Sequence, residues 1–474
     1  MTSILSHANS AILVRGGRVL DPSQGLDAKA DLFLDRGVVR SCRREGEQWP
    51  LPLASEVRRA RVLPAEGLIV SPGFIDLHCH LREPGHEQKE TIASGTLAAA
   101  KGGFTTVCCM PNTHPAIDSQ ATVEYVLRVA KVCGAARVLP VGCITKQQKG
   151  EELAEMGELS EAGVVGFSDD GHSVPSSRLL RRALEYSRIF DLPIIEHCED
   201  SSLAEGGVMH EGWVATMLGL KGIPAAAEET IVARDVLIAK LTQGRLHIAH
   251  ASTAGTVDIV RRAKDRGLAV TAEVTPHHLT LTHETVLGEW PAGWQRLHDT
   301  LSYDTNTKVN PPLREASDVD ALIEGLRDGT IDAIATDHAP HDVVDKLCEY
   351  DTAAFGISGL ETALGVLLSL VHRGALDLGT IVSKLTLGPA MLVNRAVDEL
   401  PRDSVAEGNG LVPAGLGTLR LGAPADVVIF DPNEEWVVDA KAFASKGHNS
   451  PYDGCLLKGR VKTTICEGRI TYQG

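Results

Sequence analysis

The residues of this 474-residue chain best suited to chemistry are histidines and carboxylates that follow short apolar runs. The stretch Val70-Ser71-Pro72-Gly73-Phe74-Ile75-Asp76-Leu77 ends in His78-Cys79-His80. Side chains alternate faces along a strand, so His78 and His80 point the same way, about 7 Å apart. Two imidazoles so placed suit one metal ion or one dinuclear centre. Further candidates follow later runs: Asn112, Asp169 and Asp170, Glu196 and His197, His250, and Asp337, His338 and His341. Taken singly, each is an ordinary polar residue at a strand end. Four histidines and two carboxylates at the same end of separate strands point instead to one centre. Histidine and aspartate ligands favour zinc or a similar borderline ion. Such an ion lowers the pKa of water from about 16 to about 7 and polarises a carbonyl. A neighbouring carboxylate takes the proton and passes it to a leaving nitrogen. The chemistry is metal-assisted hydrolysis.

These residues need a scaffold that gathers strand ends. From about residue 68, eight apolar runs alternate with helical stretches: 68–74, 105–109, 138–143, 164–167, 193–195, 246–249, 269–274 and 331–335. Helical spacing marks 91–100, 121–132, 179–188 and 228–241 between them. Apolar strands separated by helices imply a parallel sheet covered by helices. Eight units predict an α/β fold, a (β/α)8 TIM-like barrel with its active site at the C-terminal strand ends. Residues 280–307 read as an insertion and 341–355 as an active-site loop. Residues 11–70 are β-rich, with turns at Gly16-Gly17 and Asp35-Arg36-Gly37. The runs 419–421, 426–430 and 462–466 are β-like again. The expected organisation is a small β-sandwich built from both termini, 1–67 and 401–474, around a barrel at 68–400.

The net charge of −16 argues against nucleic acid or an anionic membrane as partner. No apolar run approaches the roughly 20 residues of a membrane span. The N-terminus lacks the pattern of a signal peptide. Ten scattered cysteines read as reduced thiols, and the expected location is cytoplasmic.

Pro72-Gly73-Phe74-Ile75-Asp76-Leu77-His78-Cys79-His80-Leu81-Arg82-Glu83-Pro84-Gly85 resembles the opening motif of dihydroorotases, in the amidohydrolase superfamily. Ala335-Thr336-Asp337-His338-Ala339-Pro340-His341, followed by Phe355-Gly356, is similar to a later one. Met110-Pro111-Asn112-Thr113, Glu196-His197, Ile248-Ala249-His250 and Asn310-Pro311-Pro312-Leu313-Arg314 complete the set in the family's order. The resemblance spans about residues 68 to 395. It implies a zinc-dependent cyclic amidohydrolase with one or two ions per subunit. Its reaction would be the reversible cyclisation of N-carbamoyl-L-aspartate to L-dihydroorotate in de novo pyrimidine (UMP) biosynthesis.

By the same resemblance, His78, His80 and Asp337 hold the first metal and His197 and His250 the second. Asp337 also shuttles the proton. Arg82, Asn112 and His341 grip the substrate carboxylate, Asn310 bonds the ring, and the Phe355-Gly356 backbone clamps its amide edge. Hydantoinases, allantoinases and some dihydroorotases bridge their metals through a carboxylated lysine at the end of strand four. Phe167-Ser168-Asp169-Asp170-Gly171 has no lysine and resembles the aspartate-bridged, class I dihydroorotases. Register against the family favours Asp170 as the bridging ligand, with Asp169 as a turn or supporting residue. An aspartate is shorter than a carboxylated lysine, so the number of ions stays open.

Two alternatives stand beside this reading. A hydantoinase or allantoinase would not need the carboxylate grip of Arg82 and Asn112. An inactive dihydroorotase-like scaffold for aspartate transcarbamoylase would lack ligands that are all present here. The family resemblance also admits a homo-oligomer and a complex of active enzyme with aspartate transcarbamoylase. The loop 342–354 is either an ordered wall or a mobile lid. Trp290 and Trp294, in the insertion 284–304, are expected to pack against another subunit.

Overall fold

A computed structural model describes residues 11–51, 53–299, 301–393 and 412–474. Eight parallel strands stand at its centre. They are β1 (Phe74–Cys79), β2 (Phe104–Cys109), β3 (Arg137–Pro140), β4 (Phe167–Ser168), β5 (Ile194–Glu196), β6 (Leu246–Ile248), β7 (Val270–Val274) and β8 (Ala333–Ile334). β1 to β3 pair in one set and β4 to β8 in another. Parallel bridges between Gly142 and Phe167 and between Cys79 and His338 join the sets into a ring. This is the expected (β/α)8 barrel. Helices such as Ile92–Lys101, Gln120–Cys133, Ser177–Ser187 and Ala225–Thr242 connect successive strands where helical spacing predicted them.

Strand alternation builds the two layers of the core. Phe74, Val107, Val138 and Ile194 belong to the cluster shared with the helices. Their sequence neighbours Ile75, Cys108, Leu139 and Ile195 belong to a second cluster, inside the ring. Period-two alternation of apolar residues on both faces explains why these strands read as continuous apolar runs.

The run 68–74 is not one barrel strand. It divides at Pro72-Gly73, where Pro72 has no N–H to give a ladder and Gly73 lies against Thr105, whose side chain a Cβ would meet at 2.2 Å. Ile69–Pro72 joins a sheet of eight strands drawn from both chain ends. It pairs with Ile12–Asp21 on one side and with Val427–Val437 on the other. This sheet encloses its own apolar cluster, including Val14, Leu32, Val70, Val427 and Ile465, as a sandwich does. Residues 419–421 form no strand; the Leu419 N–H donates instead to the Asp21 carboxylate at 2.7 Å. Arg137, at the start of β3, donates to Asp426 at 2.7 Å and Glu467 at 3.0 Å and so ties barrel to sheet. The expected boundary at 400/401 lies outside the described residues.

Trp290 and Trp294, both partly buried, pack in part within the chain. Their rings lie 6.1 and 5.3 Å from that of buried Tyr452, and the Arg296 guanidinium covers Trp290 at 4.2 Å. An aromatic cluster on the C-terminal segment explains the apolar tip of the insertion. The loop after β8 is tied to its neighbours through one side chain. Its short helix Val343–Lys346 carries a buried lysine whose Nζ donates to the carbonyls of Thr305 (3.0 Å), Lys308 (3.4 Å) and Ala354 (2.6 Å). All ten cysteines are free. No helix among the described residues is long and apolar enough to cross a membrane.

Candidate metal centre

The C-terminal ends of β1, β4, β5, β6 and β8 bring His78, His80, Asp170, His197, His250 and Asp337 together, all buried. Ligand atoms of His78, His80 and Asp170 lie within 4.8 Å of one another, and so do those of Asp170, His197 and His250. Asp170 therefore belongs to both groups. Its carboxylate is 3.2 Å from His78 Nε2, 3.6 Å from His80 Nε2, and 3.8 Å from both His197 Nδ1 and His250 Nε2. Asp337 Oδ1 lies 3.1 Å from His80 Nε2 and 3.6 Å from His78 Nε2. Asp169 faces away. It accepts from the backbone N–H groups of Ile144 (2.9 Å) and Thr145 (3.0 Å) and from the Thr145 hydroxyl.

Each imidazole of β1 is oriented by the nitrogen turned away from the centre. His78 Nδ1 is 3.0 Å from Glu273 Oε1 at the end of β7, and the other Glu273 oxygen faces His247 Nε2 at 3.2 Å. Burial pushes the Glu273 carboxyl up, but hydrogen bonds from His247 and His78 outweigh it and hold the group at about 2. His80 Nδ1 donates to Asn112 Oδ1 at 2.9 Å, and Asn112 Nδ2 donates to Asp170 at 3.2 Å. Such anchoring fixes the tautomer and raises ligand basicity.

Three pocket residues carry left-handed backbone that side chains disfavour: Arg82 (φ +59°), His250 (φ +33°) and Asp337 (φ +45°). Conformations of this kind persist where neighbours over-determine them. Beside Asp337 the clamp is visible. The Thr336 N–H and hydroxyl donate to Asp76 at 2.8 and 2.6 Å, and the His338 N–H donates to Thr336 Oγ1 at 3.0 Å.

The residues fit a zinc-type ion. His78 Nε2 is buried, faces two carboxylates and has no aligned hydrogen-bond partner. His197 Nδ1 and His250 Nε2 face each other at 3.0 Å, a spacing at which one lone pair per ring is available to a shared cation. Burial pushes Asp170 and Asp337 up, yet the surrounding histidines hold both well below the usual carboxylate range. Both are anionic at neutral pH.

Beside these groups lies a pocket of about 240 Å³, lined by Arg82, Asn112, Asn310, His341, Phe355 and Gly356 as well as His80, Asp170, His197, His250 and Asp337. Arg82 Nε donates to the Pro340 carbonyl at 3.3 Å, and its terminal nitrogens make no hydrogen bond among the described residues. Asn310 Nδ2 is 3.4 Å from His197 Nε2, while its Oδ1 is buried without a partner. His341 Nε2 donates to the Phe355 carbonyl at 2.8 Å. Burial and the positive charges of Arg82, Lys346 and Lys89 push His341 down to about 3, so its ring is neutral. The Gly356 N–H donates to the Lys308 carbonyl at 2.8 Å.

Glu196 and His338, candidates by position, serve the scaffold: Glu196 accepts from the Val174 N–H at 3.3 Å, and His338 lies between Glu90 (3.4 Å) and the Gly359 N–H (3.1 Å). Three participants escaped sequence reasoning. Glu273 had a signal, an acid in an otherwise apolar run. Lys89, whose Nζ lies 3.0 Å from Asp345 and 3.5 Å from His341 Nδ1, and Asn449, which bonds the His341 N–H at 2.9 Å, had none.

Barrel, terminal sheet and buried histidine–aspartate cluster together define an amidohydrolase-type fold. Solved structures with this fold include an L-hydantoinase (dihydropyrimidinase) from Arthrobacter aurescens, with a TM-score of 0.80, 23% identity and coverage of 98% of this chain and 96% of that one. A dihydropyrimidinase from Brevibacillus agri gives a TM-score of 0.78 at 20% identity, covering 98% and 95%. Within that fold the sequence relatives are more particular. A family profile described as Dihydro-orotase-like matches residues 67–256. Proteins named dihydroorotase from Caldanaerobacter subterraneus subsp. tengcongensis and Pelotomaculum thermopropionicum are 48% and 50% identical over 463 residues, covering 98% of this chain and 97% and 98% of theirs. The chain belongs to the dihydroorotase family.

Proposed function

We propose that the chain is a zinc-dependent dihydroorotase of the aspartate-bridged kind, interconverting N-carbamoyl-L-aspartate and L-dihydroorotate for pyrimidine synthesis. The observation that carries this reading is Asp170, shared by two histidine groups at the floor of a pocket whose wall presents Arg82. His78, His80, Asp170 and Asp337 would hold one ion, and Asp170, His197 and His250 a second. When bound, zinc supplies Lewis acidity, which acidifies water and polarises the ring amide carbonyl.

The chain's own groups do the rest. Arg82 offers its free terminal nitrogens as a fork to the substrate carboxylate. Asn310 Oδ1, buried and partnerless, accepts from a ring N–H. Asp337, anionic beside His80, takes the proton of the attacking water and delivers it to the departing ring nitrogen. In synthesis the same carboxylate removes a proton from the carbamoyl nitrogen as that atom attacks the side-chain carboxyl carbon, and returns it to the departing oxygen, which leaves as water. Association with aspartate transcarbamoylase and with further copies of the chain belongs to this reading as an expectation of the family.

The test is zinc content together with hydrolysis of L-dihydroorotate, followed by absorbance, in the wild type and in Asp337→Ala. Turnover by the wild type, and at least a hundredfold loss in a variant that retains zinc, is the expected result; general acid–base groups contribute about 10²–10⁴-fold. Wild-type protein that binds zinc and hydrolyses hydantoin but not dihydroorotate would overturn the assignment.

A further inference from the structure

Asn449 comes from the C-terminal segment, far in sequence from every ligand, yet its side chain meets both edges of the pocket. It is 5% exposed. Its Oδ1 accepts from the His341 N–H and the Ser358 hydroxyl, each at 2.9 Å. Its Nδ2 donates to the carbonyls of Ala339 and Gly356, each at 3.0 Å. Its own carbonyl accepts from the Ser358 N–H at 2.9 Å. The carboxamide thus uses both acceptor sites and both N–H groups, and the two backbone carbonyls fix which end is nitrogen. Ala339, His341 and Gly356 line the pocket, on two stretches that run side by side through the Ala339 N–H to Ile357 carbonyl bond (2.9 Å). A second contact seats the brace: Gly447 lies against Pro340, whose Cβ an added Cβ would meet at 2.5 Å.

We propose that Asn449 is a positioning residue for substrate recognition, setting the spacing between His341 and the Phe355-Gly356 edge from outside the barrel. The proposal rests on the proposed function, together with the role in substrate binding that the family resemblance implies for His341 and the Phe355-Gly356 edge. Asn449 touches no metal-ligand residue, so its loss moves substrate affinity and leaves the metal in place.

The test compares Asn449→Asp with the wild type in dihydroorotate hydrolysis, zinc content and thermal unfolding. The aspartate is isosteric. It keeps the acceptors for His341 and Ser358 but sets a carboxylate against two carbonyl oxygens. KM is expected to rise about tenfold or more, with kcat changed less and zinc unchanged, since leaving buried polar groups mispaired costs about that much. Relative to the wild type at each pH, KM should recover as acidification protonates the carboxyl, which then donates to one carbonyl. Ser358→Ala, which deletes one bond of the brace, is the fallback if the aspartate variant does not fold; its KM should rise about fivefold. A wild-type KM in a folded variant, or a lowered unfolding temperature with both kinetic constants intact, would assign Asn449 to stability alone and overturn the proposal. A wild type without dihydroorotase activity would instead strike down the functional reading.

Discussion

Gly356→Ala puts the pocket edge to a quantitative test. Gly356 has φ +140°, which other residues rarely adopt. A Cβ there would lie 2.6 Å from Ala339 Cβ, 2.7 Å from the Ala339 carbonyl oxygen and 3.2 Å from His341 Nε2. Carbon atoms prefer about 3.5–4.0 Å, so the edge must give by about 1 Å. Neither side is free to give alone. Gly356 is bonded through its N–H to Lys308 and through its carbonyl to Asn449, and Ala339 is bonded to Ile357. Backbone strain of about 1–3 kcal/mol and overpacking of about 1–3 kcal/mol are therefore discharged by displacing His341 and Phe355. A misplacement of about 1 Å costs up to about a hundredfold in rate. The expected outcome is a fall in kcat/KM for dihydroorotate of about 30- to 100-fold with full zinc content, because the three atoms nearest this Cβ belong to Ala339 and His341. The assay is steady-state hydrolysis with metal analysis on the same preparation. Unchanged kcat/KM at an unchanged unfolding temperature would refute the reasoning, since it would show that the edge yields without consequence.

Two further outcomes follow from the interior. Glu273→Gln keeps the shape but removes the charge that faces His78, and zinc affinity, measured by competition with a chelator, should fall about 10- to 100-fold; wild-type affinity would show that His78 needs no anionic partner. The buried histidines contribute to acid stability with a defined sign, opposite to that of Asp76 and Asp235, whose carboxyls burial raises. Burial, with help from neighbouring cations, holds His210 at about 3 and His341 at about 3, and burial holds His278 at about 4. In the unfolded chain each protonates near pH 6.5, so the unfolded state binds more protons from about pH 6.5 down to about 4. In excess zinc, the unfolding temperature of the wild type relative to His210→Gln should therefore fall as pH is lowered from 7.5 to 5, the other titrating groups being common to both, and a pH-independent difference would contradict the burial of this ring.

The clustered histidines and aspartates were legible because each follows an apolar run, and the barrel makes strand ends converge. His78, His197, His250 and Asp337 needed no knowledge of which strand neighbours which. The misreadings share a cause, which is that local apolarity does not say what an element packs against. The run 68–74 is apolar on both sides of Pro72-Gly73, so hydrophobicity alone could not assign half of it to another sheet. Trp290 and Trp294 signalled a covered surface, and part of the cover comes from Tyr452, more than 150 residues away.

The same limit explains which parts of the site stayed hidden. Register against the family prefers Asp170 to Asp169, and the structure separates the two by face: Phe167 packs in the helix-facing cluster, while Asp169 turns to the backbone of Ile144 and Thr145. Alternation carries that information within a single stretch. Glu273 and His78 lie 195 positions apart and Asn449 and His341 lie 108 apart, and no periodicity links either pair. What joins them is ring closure in the first case and the return of the chain's end to the barrel top in the second. Groups that bind the ion can be found by where they sit on a strand, whereas groups that aim those ligands or hold the pocket's width are defined by contacts the fold alone creates. Asn449 is the extreme case: an asparagine in a polar stretch is unremarkable until two carbonyls, an N–H and a hydroxyl converge on it.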